Sequence, residues 1–199
     1  MNLKARRKAL AEFISAATTA YLSRASDLNS TKSLNQFFAG LDETSIDTQV
    51  ASGRIPACRH MQEVIINSRF IDHDLQLLMR KFVVIEPLLK WRIRSGSNSG
   101  ASDNFADNHA NAMIIGPGGL ENRGAVQLGV TLLGANVRYP DHRHSPEETY
   151  LVISTGYFRN EDQKWMKVSQ GGTFYNPGNI THAMRSSDIP LFVFWALSK

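Results

Sequence analysis

The feature that most restricts the fold is a series of short apolar segments separated by Gly, Pro and Asn turns, running from about residue 110 to the C-terminus. Residues 112–115 are apolar and stop at Gly116-Pro117-Gly118-Gly119. Residues 126–133 and 149–153 are strand candidates, 157–158, 165–168, 173–175 and 183–185 are shorter ones, and 191–197 closes the series. Many short strands at close spacing can bury their apolar faces only by folding onto one another, as a sandwich or a barrel. Before residue 95 the apolar period is helical instead. Leu3, Leu10, Phe13, Ile14, Ala17 and Tyr21 share one face of a helix over 3–24. Residues 33–41 form a shorter helix, with Asp27, Asn29 and Ser30 as turn or capping residues before it. Residues 43–56 carry no clear period. A helix over 57–70 presents Cys58, Met61, Ile65 and Ser68 on one side. Another, over 73–91, keeps Leu75, Leu78, Phe82, Ile85 and Leu89 in register, and Pro87 is expected to kink or shorten it. Polar residues 94–108 read as a loop able to move over a pocket. The expected division is a helical region over 1–94 packing on a barrel, a linker or lid loop over 95–110, and the barrel over 111–199.

A chain of 199 residues, 42% hydrophobic and 20% charged, can bury a core without staples. The 22 basic and 18 acidic residues leave a charge of +4, and they are scattered. No basic stripe with interleaved aromatics is present, which argues against a nucleic-acid partner. The mild positive potential favours a small anionic or carboxylate-bearing ligand. Cys58 is the single cysteine, which excludes an internal disulfide and makes a reducing, cytoplasmic compartment the expectation. Lys4, Arg6, Arg7 and Lys8 ahead of an apolar stretch mimic an export signal, but Glu12 and Arg24 interrupt it, so an amphipathic surface helix is expected. No apolar run is long enough to span a membrane. Cys58, Arg59 and His60 are adjacent without catalytic spacing and read as packing.

The stretch that carries chemistry is Tyr139-Pro-Asp-His142-Arg-His144-Ser-Pro-Glu-Glu148-Thr-Tyr150, with His182 following Asn176-Pro177-Gly178-Asn179-Ile180-Thr181. Residues two apart share a strand face, so His142 and His144 point together, as do Glu148 and Tyr150. Pro146 between the pairs suggests a turn or bulge that lets them converge. His182, from a separate strand, closes the ring. Imidazoles with a carboxylate suit one divalent transition metal ion such as zinc, iron, manganese, cobalt or nickel, and disfavour an all-oxygen calcium or magnesium site. Any one of these side chains alone would be an ordinary surface residue; together they read as a metal centre of His144, Glu148 and His182, with Tyr150 or His142 alongside.

His142-x-His144-x3-Glu148 followed by Gly156 resembles the first cupin motif, and Gly171 with Pro177 and His182 resembles the second. Asn179 stands where the second motif usually has glycine, and asparagine tolerates the left-handed backbone. The resemblance implies a mainly β fold: a C-terminal cupin barrel (double-stranded β-helix, jelly-roll-like) with an N-terminal helical extension. A narrower likeness rests on the run from His109 to Glu121, on Tyr139-Pro-Asp-His142, Pro146-Glu-Glu148-Thr-Tyr150, Tyr175-Asn-Pro177 and His182-Ala-Met-Arg185, and reaches back to residues 56–60 and Trp91. These are similar to the bacterial cupin dimethylsulfoniopropionate (DMSP) lyases of the DddQ-like group. That likeness implies metal ligands at His144, Glu148, Tyr150 and His182, with Tyr139 and His142 lining the pocket. It implies a carbon–sulfur lyase that splits a small zwitterionic sulfonium substrate into acrylate and dimethyl sulfide by β-elimination. The metal, zinc, iron or manganese, would hold the substrate carboxylate. Tyr150 is the first choice for the base and Tyr139 the second. His142 would orient the carboxylate or add a ligand. The sulfonium needs aromatic faces, with Trp195 the first choice among Phe192, Phe194, Tyr157 and Trp165. The residues alone leave open another metal-cupin enzyme, a dioxygenase or an isomerase, and a non-catalytic small-molecule-binding cupin. Neither nucleic acid nor membrane is expected as a partner, and a monomer or homodimer is.

Overall fold

Helix α1 (Leu3–Leu22) starts where Asn2 accepts a hydrogen bond from Ala5 N, and α2 (Leu28–Gly40) where Asp27 accepts from Asn29 N and Ser30 N. A short polar side chain here satisfies amide groups that the first helical turn leaves free. Asp27 therefore starts α2 earlier than the expected residue 33, and Asn29 and Ser30, read as turn residues, lie inside its first turn. After a 3-10 turn over Pro56–Arg59, which buries Cys58, comes α3 (His60–Asn67), whose buried side is Met61 and Val64; Ile65, expected there, is 43% exposed. Ser68 lies outside the described residues. The computed structural model describes the whole chain except residues 26, 42–45, 49–50, 68–71, 162 and 199. Helix α4 (His73–Ile85) is capped by Asp72 and ends in a 3-10 turn at Glu86–Leu88, where Pro87 stops it. Leu75, Leu78, Phe82, Ile85 and Leu89 are all buried, as their spacing requires.

The strands are β1 (Ile46–Asp47), β2 (Trp91–Arg92), β3 (His109–Ile115), β4 (Glu121–Asn122), β5 (Val126–Leu133), β6 (Glu147–Val152), β7 (Gly156–Asn160), β8 (Met166–Val168), β9 (Thr173–Asn176), β10 (His182–Arg185) and β11 (Leu191–Ser198). The larger sheet runs β1-β4-β3-β5-β11-β6-β9 with β2 on β3, and the smaller runs β10-β7-β8. Two short strands also precede residue 95: β1 lies in the stretch without a clear period, and β2 starts where the helix expected over 73–91 would end. Trp165, expected in a strand, lies just before β8.

The alternation of β11 divides the core. Phe192, Phe194 and Ala196 pack with the helices, while Leu191 and Val193 join the barrel interior with Trp195 packed against them. Phe13 of α1 and Phe82 of α4 meet Phe194 at ring-centroid distances of 5.6 and 5.2 Å. The same rule sends Val126, Leu128, Val130 and Leu132 of β5 toward the helices and Leu133 inward. The result is a mainly β fold in two sheets, and the larger sheet carries the helices on its outer face. Residues 94–108 lie against the barrel: Ser102 N bonds Arg138 O, Asp141 N bonds Ser99 O, and Phe105 is buried. Among the described residues no helix is long and apolar enough to cross a membrane.

Candidate metal centre

Residues 139–146 are irregular chain rather than strand, tied to β10 by the bond from Tyr139 N to Met184 O at 2.9 Å and by an antiparallel bridge between His142 and His182. The bridge is a matched pair: His142 N to His182 O at 3.1 Å and His182 N to His142 O at 2.9 Å. It brings the two rings to 4.1 Å between centroids, with His144 at 5.0 Å from His182. The shared direction expected of His142 and His144 thus survives without regular strand pairing. One ligand atom from each of His142, His144 and His182 lies within 4.8 Å of the others. Asn179 takes the left-handed backbone, φ 64°, and its N–H bonds His144 O at 2.8 Å, so it does the work of the usual glycine.

Each imidazole is aimed by its own main chain. His142 Nδ1 lies 2.9 Å from Pro140 O, His144 Nδ1 2.8 Å from Pro146 O, and His182 Nδ1 3.0 Å from Ile180 O. A carbonyl only accepts, so Nδ1 carries the proton and each Nε2 presents a lone pair. Tethering of the second ring nitrogen is what metal-binding histidines show.

Glu148, on β6, is buried, and its Oε2 lies 3.1 Å from His182 Nε2 and 3.5 Å from His144 Nε2. His182 Nε2 is buried without a hydrogen bond. Two lone-pair nitrogens facing a carboxylate oxygen in a buried site repel unless positive charge sits among them. A divalent cation meets that need, and nitrogen with carboxylate donors fits zinc, iron or manganese. The donor set therefore fits a transition metal. Without one, protonation takes its place. Burial works against a charge on His144, but the hydrogen bond and charge of Glu148 outweigh it and raise its proton affinity. Burial likewise pushes Glu148 up, yet the neighbouring His144 and His182 imidazoles hold it well below the usual carboxylate range. His142 is lowered to about 4, by burial first and the charge of His182 second. Asn176 Nδ2 donates to Glu148 Oε2 at 2.9 Å and fixes the carboxylate from behind.

The pocket beside these groups, about 180 Å³, is lined by His142, His144, Glu148, Tyr139, Tyr150 and Trp195 with Asn111, Thr131, Met184 and Leu197. Burial first, then the nearby Glu148 carboxylate, raises the Tyr150 phenol well above its ordinary value. Burial pushes Tyr139 up to about 12, against the hydrogen bond from Asn111. Trp195 is opposite Gly129 on one side and Tyr150 on the other. A Cβ on Gly129 would overlap the indole ring. The other aromatics named for the sulfonium lie elsewhere. Phe192 and Phe194 face the helices, while Tyr157 and Trp165 stack with Arg185 at 5.0 and 4.6 Å. Asn111, Thr131, Gly129 and Asn176 are not singled out by sequence reasoning. Asn111 and Asn176 fall inside stretches that carry the family likeness, but nothing local marks them as facing the pocket.

A family model described as dimethylsulfoniopropionate lyase matches residues 29–193. Dimethylsulfoniopropionate lyase DddQ of Ruegeria pomeroyi is 29% identical over 118 residues, a stretch that covers 57% of this chain and 58% of that protein, so the match spans little more than half of the relative. A chain from the crystal structures of the DMSP lyases RdDddP and RnDddQII superposes with TM-score 0.71 at 20% identity, covering 98% of this chain and 94% of the other. The crystal structure of DddQ from the same Ruegeria strain gives TM-score 0.64 at 21% identity, covering 81% and 82%. The two solved structures share the architecture of helices on a barrel described above, and the family match runs through both halves of the histidine–carboxylate cluster, so this chain belongs to the dimethylsulfoniopropionate lyase family.

Proposed function

We propose that the chain is a metal-dependent carbon–sulfur lyase that cleaves DMSP to acrylate and dimethyl sulfide. The observation that carries this reading is a cluster of three main-chain-tethered imidazoles with Glu148, beside a pocket in which His142, His144 and Glu148 meet two phenols and an indole. His144, Glu148, His182 and Tyr150 would hold the ion, with His142 beside them. When bound, a divalent zinc, iron or manganese ion supplies Lewis-acid polarisation of a carboxylate and lowers the proton affinity of a neighbouring phenol.

The remaining work belongs to the chain's own side chains. His142 orients the substrate carboxylate at the histidine end of the pocket. Tyr150 takes the proton from the carbon next to that carboxylate, with Tyr139 the second choice. The freed electron pair becomes the carbon–carbon double bond, the carbon–sulfur bond breaks, and dimethyl sulfide leaves neutral, so no acid is required for the leaving group. Trp195 offers its face to the sulfonium, and Met184 and Leu197 complete an apolar end that excludes water. Residues 95–110 act as the cover of the pocket and 1–94 as the support of the barrel.

Purified protein incubated with DMSP and zinc, manganese or iron is expected to release dimethyl sulfide into the headspace. Chelator-stripped protein is expected to release none, and Tyr150→Phe at least about 100-fold less. Absence of product with all three metals sinks the lyase reading. Full activity in Tyr150→Phe sinks the choice of base alone.

A further inference from the structure

Three side chains in the pocket wall form a chain of hydrogen bonds that ends at Tyr139, whose ring lies 5.0 Å from that of His142. Asn111 on β3 and Thr131 on β5 are cross-strand partners facing the pocket. Thr131 Oγ1 donates to Asn111 Oδ1 at 2.7 Å, and Asn111 Nδ2 donates to the Tyr139 hydroxyl at 2.9 Å. Phe105 meets the Tyr139 ring edge-on at 5.2 Å, and the Arg94 guanidinium, 5.8 Å from its centroid, is a second donor toward the same hydroxyl oxygen.

A phenol whose oxygen accepts a bond from one side must send its own O–H elsewhere. Here the open side is the pocket that His142, His144 and Glu148 also line. Reversed, the same chain would spend the Tyr139 proton on Asn111 Oδ1 and leave the pocket without a donor at this wall. In the structure Thr131 donates to Oδ1, and that orientation of the amide turns Nδ2 toward Tyr139.

We infer that Asn111, its amide set by Thr131, is a positioning residue that turns the Tyr139 hydroxyl into a hydrogen-bond donor for the substrate carboxylate. The inference rests on the lyase reading for the identity of the carboxylate. It assigns Tyr139 to holding charge and leaves proton removal to Tyr150. Charge builds on the carboxylate oxygens as the neighbouring carbon loses its proton, so a donor fixed there stabilises the transition state more than the bound substrate.

The test measures acrylate affinity by calorimetry on zinc-loaded protein, together with dimethyl sulfide release. Asn111→Ala is expected to weaken acrylate binding about 10-fold and to lower kcat/KM by more than that. Thr131→Val is expected to lose about 3-fold, and Thr131→Ser to recover most of it. In a Tyr139→Phe background, Asn111→Ala is expected to add nothing, which a merely structural role would not produce. Unchanged or tighter acrylate binding in Asn111→Ala would mean the reversed chain and overturn the inference. So would an undiminished Asn111→Ala loss in the Tyr139→Phe background, or no acrylate binding by the wild type. Should Asn111→Ala fail to fold, the Thr131→Val and Thr131→Ser pair carries the same comparison, and equal affinity in both overturns it. Coupling of the three residues in acrylate binding without dimethyl sulfide release would support the inference while the lyase reading fell. Release without coupling would do the reverse.

Discussion

Gly129 leaves open the space that the Trp195 indole fills, and the depth of the pocket depends on it. A methyl group there forces the ring inward, since an overpacked wall has few other ways to yield. Gly129→Ala is therefore expected to raise KM for DMSP about 10-fold or more while bound metal stays near one ion per chain, and Trp195→Phe in the same chain should recover part of the loss. Steady-state kinetics with metal analysis checks both. Asn176 makes a different demand. It would not hold the ion itself; its Nδ2 bonds Glu148 Oε2. Its removal leaves the carboxylate free to turn, and Asn176→Ala is expected to weaken metal binding by about 10–100-fold, read by competition with a coloured chelator. Unchanged affinity would mean that the carboxylate is held by the imidazoles alone.

Among the elements, the segment between β2 and β3 depends most on one residue. His109 Nε2 accepts from Arg94 N at 2.8 Å, its Nδ1 lies 2.6 Å from Phe105 O, and its ring stacks on Phe105 at 3.7 Å. Both ends of the segment are thus tied to one neutral imidazole. Burial first, with the charge of Arg94 adding to it, lowers its proton affinity from the ordinary 6.5. A depressed folded value means that the unfolded chain takes up the proton first, so this contribution is whole above pH 6.5 and drains away as the pH falls. Melting temperature is expected to decline below that point, and His109→Phe should flatten the decline while starting lower by about 1–2 kcal/mol for its lost bonds. An equal slope in the variant would place the sensitivity elsewhere. Strand periods and the two histidine motifs made the barrel, its helices and the His144–Glu148–His182 group legible in the sequence, because each depends on residues close in the chain. The alternation that sends Trp195 inward sends Phe192 and Phe194 outward, and the sequence alone does not say which side the pocket takes. Which strand lies beside which is a long-range matter. The pairing of β3, β5 and β11 puts Asn111 next to Thr131 and Gly129 next to Trp195, and no local period carries that information. The start of α2 is harder to read for a smaller reason, since the capping Asp27 outweighs weak apolar spacing.

At the scale of the molecule, helices and barrel share one core. Phe13 and Phe82 press on Phe192 and Phe194 of β11, the strand whose other side presents Trp195 to the pocket. Phe13 is fully buried, and Phe13→Ala is expected to cost about 3–5 kcal/mol, a large part of what a domain of this size holds in reserve. Chemical denaturation measures it, and a loss below about 1 kcal/mol would show that the helices ride on a barrel stable without them. The tethering of His142, His144 and His182 to carbonyls of Pro140, Pro146 and Ile180 has a consequence for descent as well. A main-chain oxygen cannot be mutated away. Lineages can exchange most side chains around the centre, and as long as the chain keeps its path the three nitrogens go on facing the same point, which makes the aim of the site heritable through the backbone rather than through any one codon.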